Sequence, residues 1–75
     1  NIEIIPNPNN GFFTIETSKY INNTLRVYSI LGHKIIEKSI VENTTKINLN
    51  NYEKGIYIVH INSDENPLKE RIIIH

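Results

Sequence analysis

The side chains in this chain that could perform chemistry are few and scattered along its 75 residues. Its histidines are His33, His60 and His75, and it has no cysteine. A zinc site needs His or Cys ligands at short regular spacing, as in His-Glu-x-x-His, and the chain contains no such run. Calcium needs several acidic oxygen ligands close together, and Asp64 with Glu65 is too small a cluster. The sequence therefore predicts neither a metal site nor a cofactor.

Nucleophilic catalysis and phosphate binding find no better support. The four serines of the chain lie outside any Gly-x-Ser-x-Gly elbow. The three glycines are isolated along the sequence, whereas a phosphate-binding loop needs several of them together. We therefore predict that the chain is not an enzyme.

Aromatic side chains offer one further chemistry, because rings that lie together on an exposed sheet face can stack on sugars. Phe12, Tyr20 and Tyr28 are the rings that the strand pattern leaves free for such contact. Phe13 and Tyr57 fall at inward positions of the predicted strands. A non-catalytic carbohydrate-binding or adhesion module is therefore an alternative that the aromatic residues leave open.

The chain has zero net charge, with eight basic and eight acidic residues. A protein that binds nucleic acid or anionic lipid carries an excess of Lys and Arg, so this balance favours protein partners. No apolar run approaches the roughly 20 residues that span a bilayer. The chain also begins at Asn1 without an initiator Met or a leader, and we expect a single domain, residues 1–75, at the end of a larger protein.

The composition predicts the elements that position these residues. Ile, Val and Thr supply 24 of the 75 residues, while Ala, Met and Gln are absent. β-Branched side chains pack well on a pleated sheet, so the chain is predicted to be all-β. Seven strand-like runs follow one another at intervals of roughly 8 to 12 residues, which is typical of a sandwich or barrel. They are residues 2–5, 12–17, 25–30, 34–40, 46–49, 56–61 and 68–75.

The alternation of apolar residues assigns faces to these strands. Phe13 and Ile15 share the inward face of the second strand, and the sixth strand is apolar enough on both faces to be central. Gly32 marks the turn of a hairpin between the third and fourth strands, and the short fifth strand is expected at an edge or crossover. In the segment 49–57, which resembles the corner of immunoglobulin-like sandwiches, we predict that the Tyr52 hydroxyl caps backbone groups.

Four motifs occur in order along the chain. They are IIPNPNNGFF at residues 4–13, VYSILGHKI at 27–35, LNNYEKGIY at 49–57 and KERIIIH at 69–75. Together, and over essentially the whole chain, they resemble the type A C-terminal sorting domain of the Por secretion system, also called type IX secretion, of Bacteroidota. The resemblance implies an immunoglobulin-like antiparallel β-sandwich of about seven short strands.

The resemblance also implies a sorting signal rather than a catalyst. In that family the domain directs a larger cargo protein across the outer membrane, and its partners are an outer-membrane translocon, a shuttle protein and a sortase. The precursor passes through the periplasm, and the sortase usually removes the domain. The cargo is then released outside the cell or anchored at its surface. Neither nucleic acid nor direct membrane insertion is expected.

Recognition residues follow from the resemblance at the positions that match the family's motifs. They are Pro6, Asn7, Pro8 and Gly11 in the first motif, Gly32 in the hairpin, Gly55 and Tyr57 in a Gly-x-Tyr motif, and a cation followed by Ile72, Ile73 and Ile74. The cation is Arg71 or Lys69, because family members more often carry Lys at the position of Arg71. Each residue either contacts a receptor or maintains the fold. The final strand can in addition offer its sheet edge to a receptor.

Overall fold

The computed structural model describes residues 2–75, which form seven β-strands and no helix. In chain order the strands are β1 (Glu3–Ile5), β2 (Phe12–Glu16), β3 (Thr24–Ser29), β4 (Lys34–Ser39), β5 (Thr44–Asn48), β6 (Gly55–Asn62) and β7 (Leu68–Ile74). The predicted all-β class and the seven strands are confirmed. No helix capable of crossing a bilayer exists in this part of the chain.

The strands form two antiparallel sheets. One has the order β1-β2-β5, and the other has the order β4-β3-β6-β7. Side chains from both sheets meet in one hydrophobic core, so the fold is a β-sandwich, and the chain crosses between sheets as in immunoglobulin-like domains. The core comprises Phe13, Ile15, Tyr20, Leu25, Val27, Ile40, Ile47, Leu49, Tyr57, Val59, Ile61, Ile72 and Ile74.

Alternation explains which residues enter this core. In β2, Phe13 and Ile15 are buried, as predicted, whereas Thr14 between them is half-buried and Phe12 and Glu16 are exposed. In β6, Tyr57, Val59 and Ile61 are buried, and the residues between them are half-buried. Strand β6 pairs with β3 on one side and β7 on the other, which confirms its predicted central position.

Strand β5 lies at the edge of its sheet, as predicted, but it begins two residues earlier than the sequence pattern indicated. Thr45 is buried opposite Ile15, and Ile47 is buried opposite Phe13. A threonine is β-branched and occupies an inward strand position much as valine does. The inward alternation therefore starts at a residue that the prediction assigned to the preceding turn.

Candidate recognition site

Residues 6–11, which hold the first motif, lie against the end of β7, which holds the last motif. The N–H of Asn9 donates to the C=O of Ile73 (3.0 Å), and the N–H of His75 donates to the C=O of Asn9 (2.8 Å). These bonds form a short parallel bridge between Asn9 and Ile74. The Oδ1 of Asn7 accepts a third bond, from the N–H of Ile73, 66 residues away in sequence (3.3 Å). We call residues 7–9 and 73–75 the clasp.

Asn9 holds the clasp in shape, although the sequence interpretation did not include it among the recognition residues. Its side chain is buried, with its Nδ2 donating to the C=O of Pro6 (3.1 Å) and its Oδ1 accepting from the N–H of Gly11 (2.8 Å). A side-chain amide that bonds backbone groups on both sides closes a loop that has no ladder of its own. The chain contains 12 asparagines, so the residue type alone does not single out Asn9.

Gly11 connects the first motif to the loop that precedes β6. Its φ is +114°, and its C=O accepts a hydrogen bond from the N–H of Leu49 (2.7 Å). A β-carbon at this position would lie 3.0 Å from the Cα of Asn50. Glycine suits both the positive φ and the close approach of the two backbones.

The other two motif glycines lie at the same end of the four-stranded sheet. Gly32 turns the chain between β3 and β4, and its N–H donates to the C=O of Ser29 (2.9 Å), which confirms the predicted hairpin. Ser29 lies opposite Tyr57, and Gly55, the first residue of β6, lies opposite Ile74. The hairpin, the start of β6 and the end of β7 are therefore adjacent, and the four motifs converge at this end of the sandwich.

The corner tyrosine is Tyr57, and the prediction that Tyr52 has this role is wrong. The hydroxyl of Tyr57 donates to the C=O of Glu53, four residues upstream, in the arrangement of a tyrosine corner. Tyr57 is buried because it points inward at the start of a central strand, whereas Tyr52 lies in the loop and is 44% exposed. Burial, followed by the nearby charge of Glu53, raises the pKa of Tyr57 above its ordinary value of 10.0.

We expect Tyr57→Phe to lower the free energy of unfolding by about 1 kcal/mol, because it leaves the carbonyl of Glu53 without its donor. Tyr52→Phe is the matched control and is expected to change stability by less than about 0.5 kcal/mol.

The raised pKa of Tyr57 in the folded state also makes stability depend on pH. Its contribution is fully present below the pKa of an unfolded tyrosine, so the stability of the wild type falls as the pH rises past about 10. Urea unfolding at neutral pH and at a pH above 10 checks both effects. Equal unfolding midpoints for Tyr57→Phe and wild type would contradict the corner assignment.

Strand β7 divides the last motif between two faces. Ile72 and Ile74 are buried in the core, whereas Ile73 between them is 42% exposed. Lys69 and Arg71 are exposed on the same outer face as Ile73, because they occupy the same parity along the strand. Arg71 is therefore the neighbour of Ile73 on this face, and Lys69 is the next residue beyond Arg71 on the same face.

The residues of the first motif are also divided. Pro6, Asn7 and Pro8 are exposed, whereas Gly11 is buried against the loop at residues 49–50. The side chain of Lys54, from the loop before β6, reaches the same region and donates to the C=O of His75 (3.1 Å). This end of the molecule thus presents a surface built from both ends of the chain and stabilised by backbone hydrogen bonds.

The aromatic rings do not form a platform for sugars. Tyr20 is 3% exposed, and its hydroxyl donates to the C=O of Asn66 (2.8 Å), so the expectation of an exposed ring there is wrong. Phe12 lies on the outer face of the three-stranded sheet, whereas Tyr28 lies on the outer face of the other sheet. The two rings therefore face opposite sides of the sandwich.

The histidine and acidic side chains of the described residues are dispersed along the chain and do not form a cluster. His33 and His75 are exposed, and His60 is half-buried. Residues 2–75 contain no group of three or more His, Cys, Asp or Glu side chains that could hold a metal ion. The described residues instead bring together backbone groups and apolar surface at the end of the molecule that holds the clasp.

Fold and site together define a class of protein: a small antiparallel β-sandwich in which motifs from the whole length of the chain converge on one exposed end. The family model of the secretion system C-terminal sorting domain matches residues 3–75. The chain belongs to this family, and the resemblance found in the sequence is confirmed. No curated protein matches the chain. Membership indicates a type IX secretion sorting signal that acts with the type IX machinery on secreted or surface-located cargo.

Proposed function

We propose that residues 1–75 are the C-terminal address of a larger cargo protein and that the outer-membrane translocon and shuttle protein of type IX secretion read this address. Family membership supports the proposal. The observation that carries it is the clasp, because it binds the first motif to the last and displays both on one surface. Recognition of that surface requires the folded domain, not a linear peptide.

The route of the cargo follows from this role. The precursor passes through the periplasm, a sortase removes the domain, and the cargo is released outside the cell or anchored at the outer-membrane surface. The domain itself is not catalytic, since its part is to be bound and then cut from the cargo.

Exposure separates the motif residues into two groups. Pro6, Asn7, Pro8, Gly32, Lys69, Arg71 and Ile73 are exposed, and we assign receptor contact to this group. Gly11, Tyr57, Ile72 and Ile74 are buried and Gly55 is half-buried, and we assign maintenance of the fold to them. This first group extends from the clasp and the hairpin along the outer face of β7, and a receptor can bind it only because the second group holds it in place.

A reporter fusion tests the proposed function. With residues 1–75 at its C-terminus, a periplasmic reporter is expected outside a type IX-competent cell and inside the periplasm of the same cell without its translocon. Deleting residues 71–75 should retain the reporter in both cells. Retention of the intact fusion in the competent cell would refute the proposal, as would export of the truncated one. Mass spectrometry of the exported product should show the domain missing, whereas a carbohydrate-binding or adhesion module would stay attached.

A further inference from the structure

The edge of β7 that faces away from β6 is open along part of its length. Within the clasp, Ile73 directs both its N–H and its C=O away from β6, where the N–H donates to Asn7 and the C=O accepts from Asn9. Backbone groups alternate in direction along an antiparallel strand, and β7 pairs with β6 without interruption from Leu68 to Ile74. Lys69 and Arg71 therefore direct their N–H and C=O groups to the same open side, where residues 2–75 supply no partner.

The side chains at this open edge are cations without acidic partners. In the described part of the chain, neither Lys69 nor Arg71 forms a salt bridge, and Glu70 between them points to the opposite face. The acidic residue of the outer face is Glu37, on β4 at the far edge of the sheet. Hydrogen bonds from Lys34, and to a smaller extent from Arg26, lower the pKa of Glu37. The carboxylate of Glu37 is therefore already paired with these two cations.

Beside these cations the outer face is concave. A depression of about 330 Å³ is lined by Tyr28, Ile58, His60 and Lys69. Every second side chain of a strand added to β7 would lie on this outer face, next to Lys69, which lines the depression. The surface therefore offers apolar and aromatic contact next to positive charge.

Self-association is disfavoured by the same charges. Two copies paired edge to edge through β7 would place Lys69 and Arg71 of one copy on the same face as those of the other. Like charges in opposite positions of a sheet are destabilising. An acidic strand, in contrast, would satisfy both the backbone groups and the cations.

We propose that a protein partner adds a β-strand to residues 68–71 of β7 and directs acidic side chains, spaced two residues apart, toward Lys69 and Arg71. The clasp sets the limit of this added strand, because it already occupies the edge at Ile73. The inference rests on the proposed function, since the partner is the component that recognises the sorting domain. Charged edge residues also serve to repel unwanted strands, and in that role they would select no partner.

A pair of designed hairpin peptides tests the proposal on the isolated chain. The outer strand of one reads Glu-Val-Glu-Val-Glu, and that of its matched control reads Lys-Val-Lys-Val-Lys. By NMR we expect the acidic hairpin to slow solvent exchange of the Lys69 and Arg71 amides by at least about tenfold, and the basic hairpin to leave them unchanged. Equal effects of the two hairpins, or no protection of these amides, would overturn the proposal.

Two variants at one position separate side chain from backbone. Arg71→Ala removes the charge and keeps the outward N–H, and we expect about threefold weaker binding of the acidic hairpin. Arg71→Pro removes both and leaves the β6 ladder intact, since proline is tolerated where an edge N–H faces outward. We expect at least about a further fivefold loss from it, with wild-type thermal unfolding as the folding control. Equal binding by the two variants contradicts strand addition.

The reporter fusion distinguishes this inference from the proposed function. Export of the intact fusion together with weaker export of Arg71→Pro than of Arg71→Ala supports both. Export of the intact fusion with equal export of the two variants overturns strand addition and leaves the sorting function standing. Retention of the intact fusion in a competent cell overturns the sorting function itself, and strand addition as the mode of its recognition with it.

Discussion

Gly11→Ala is expected to lower the free energy of unfolding by about 3 to 5 kcal/mol, a large part of the roughly 4 to 11 kcal/mol available to a domain of this size. Two effects add at this position. The φ of +114° is unfavourable for any residue with a β-carbon, at about 1 to 3 kcal/mol. The new β-carbon would also lie 3.0 Å from the Cα of Asn50, which is backbone and cannot rotate away.

Gly32→Ala is the matched control for this prediction. Its φ is +90°, but a β-carbon there meets no atom within 4 Å. We expect it to cost only about 1 to 2 kcal/mol, from backbone conformation alone. Urea unfolding followed by far-ultraviolet circular dichroism measures both variants. Equal losses in the two would show that the approach of Gly11 to the loop at residues 49–52 contributes nothing.

Strand positions and faces could be predicted because they depend on local alternation. The inward positions of Phe13, Ile15 and Tyr57 require only a period of two and enough apolar side chains to cover a core. The hairpin at Gly32 is equally local, since a single flexible residue stands between two alternating runs. Neither prediction needed to know which strands pair across the molecule.

The contacts that define the site are not local, and the sequence indicated them poorly. The clasp depends on hydrogen bonds between Asn9 and residues 73–75, and no residue near Asn9 in the sequence predicts that contact. Tyr20 appeared to be exposed because it follows a strand within a polar loop, yet the chain folds its ring into the core and its hydroxyl onto Asn66. The resemblance to a family supplied the motif residues, and the fold then showed which of them are buried.

The error at the corner has a similar cause. Tyr52 lies in the loop that joins the two sheets, and Tyr57 lies near the start of the strand that follows it, so both belong to the motif at residues 49–57. The residue that belongs to a strand is anchored by the core, so its hydroxyl is directed to one place. The inward parity of Tyr57 was part of the sequence pattern, and it identifies the corner when combined with position at the start of the strand.

The second large effect on stability is expected in the last motif, because the neighbouring isoleucines there differ in burial. Ile72 is 0% exposed, and Ile72→Ala is expected to cost about 2 to 5 kcal/mol through lost burial and the cavity left behind. Ile73 is 42% exposed, and Ile73→Ala is expected to cost less than about 1 kcal/mol. Thermal and urea unfolding of the two variants should therefore differ strongly.

Export of the reporter fusion turns this contrast into a test of recognition. Ile72→Ala should reduce export because the domain unfolds, and Ile72→Val, which costs only about 0.5 to 1.5 kcal/mol, should restore it. Ile73→Ala should reduce export severalfold while the domain stays folded, because it removes the exposed side chain next to Arg71 on the outer face. Normal export of a folded Ile73→Ala fusion would mean that the last motif acts only by completing the core. Loss of export without loss of stability would place receptor contact on the outer face of β7, where the clasp keeps the side chain of Ile73 exposed.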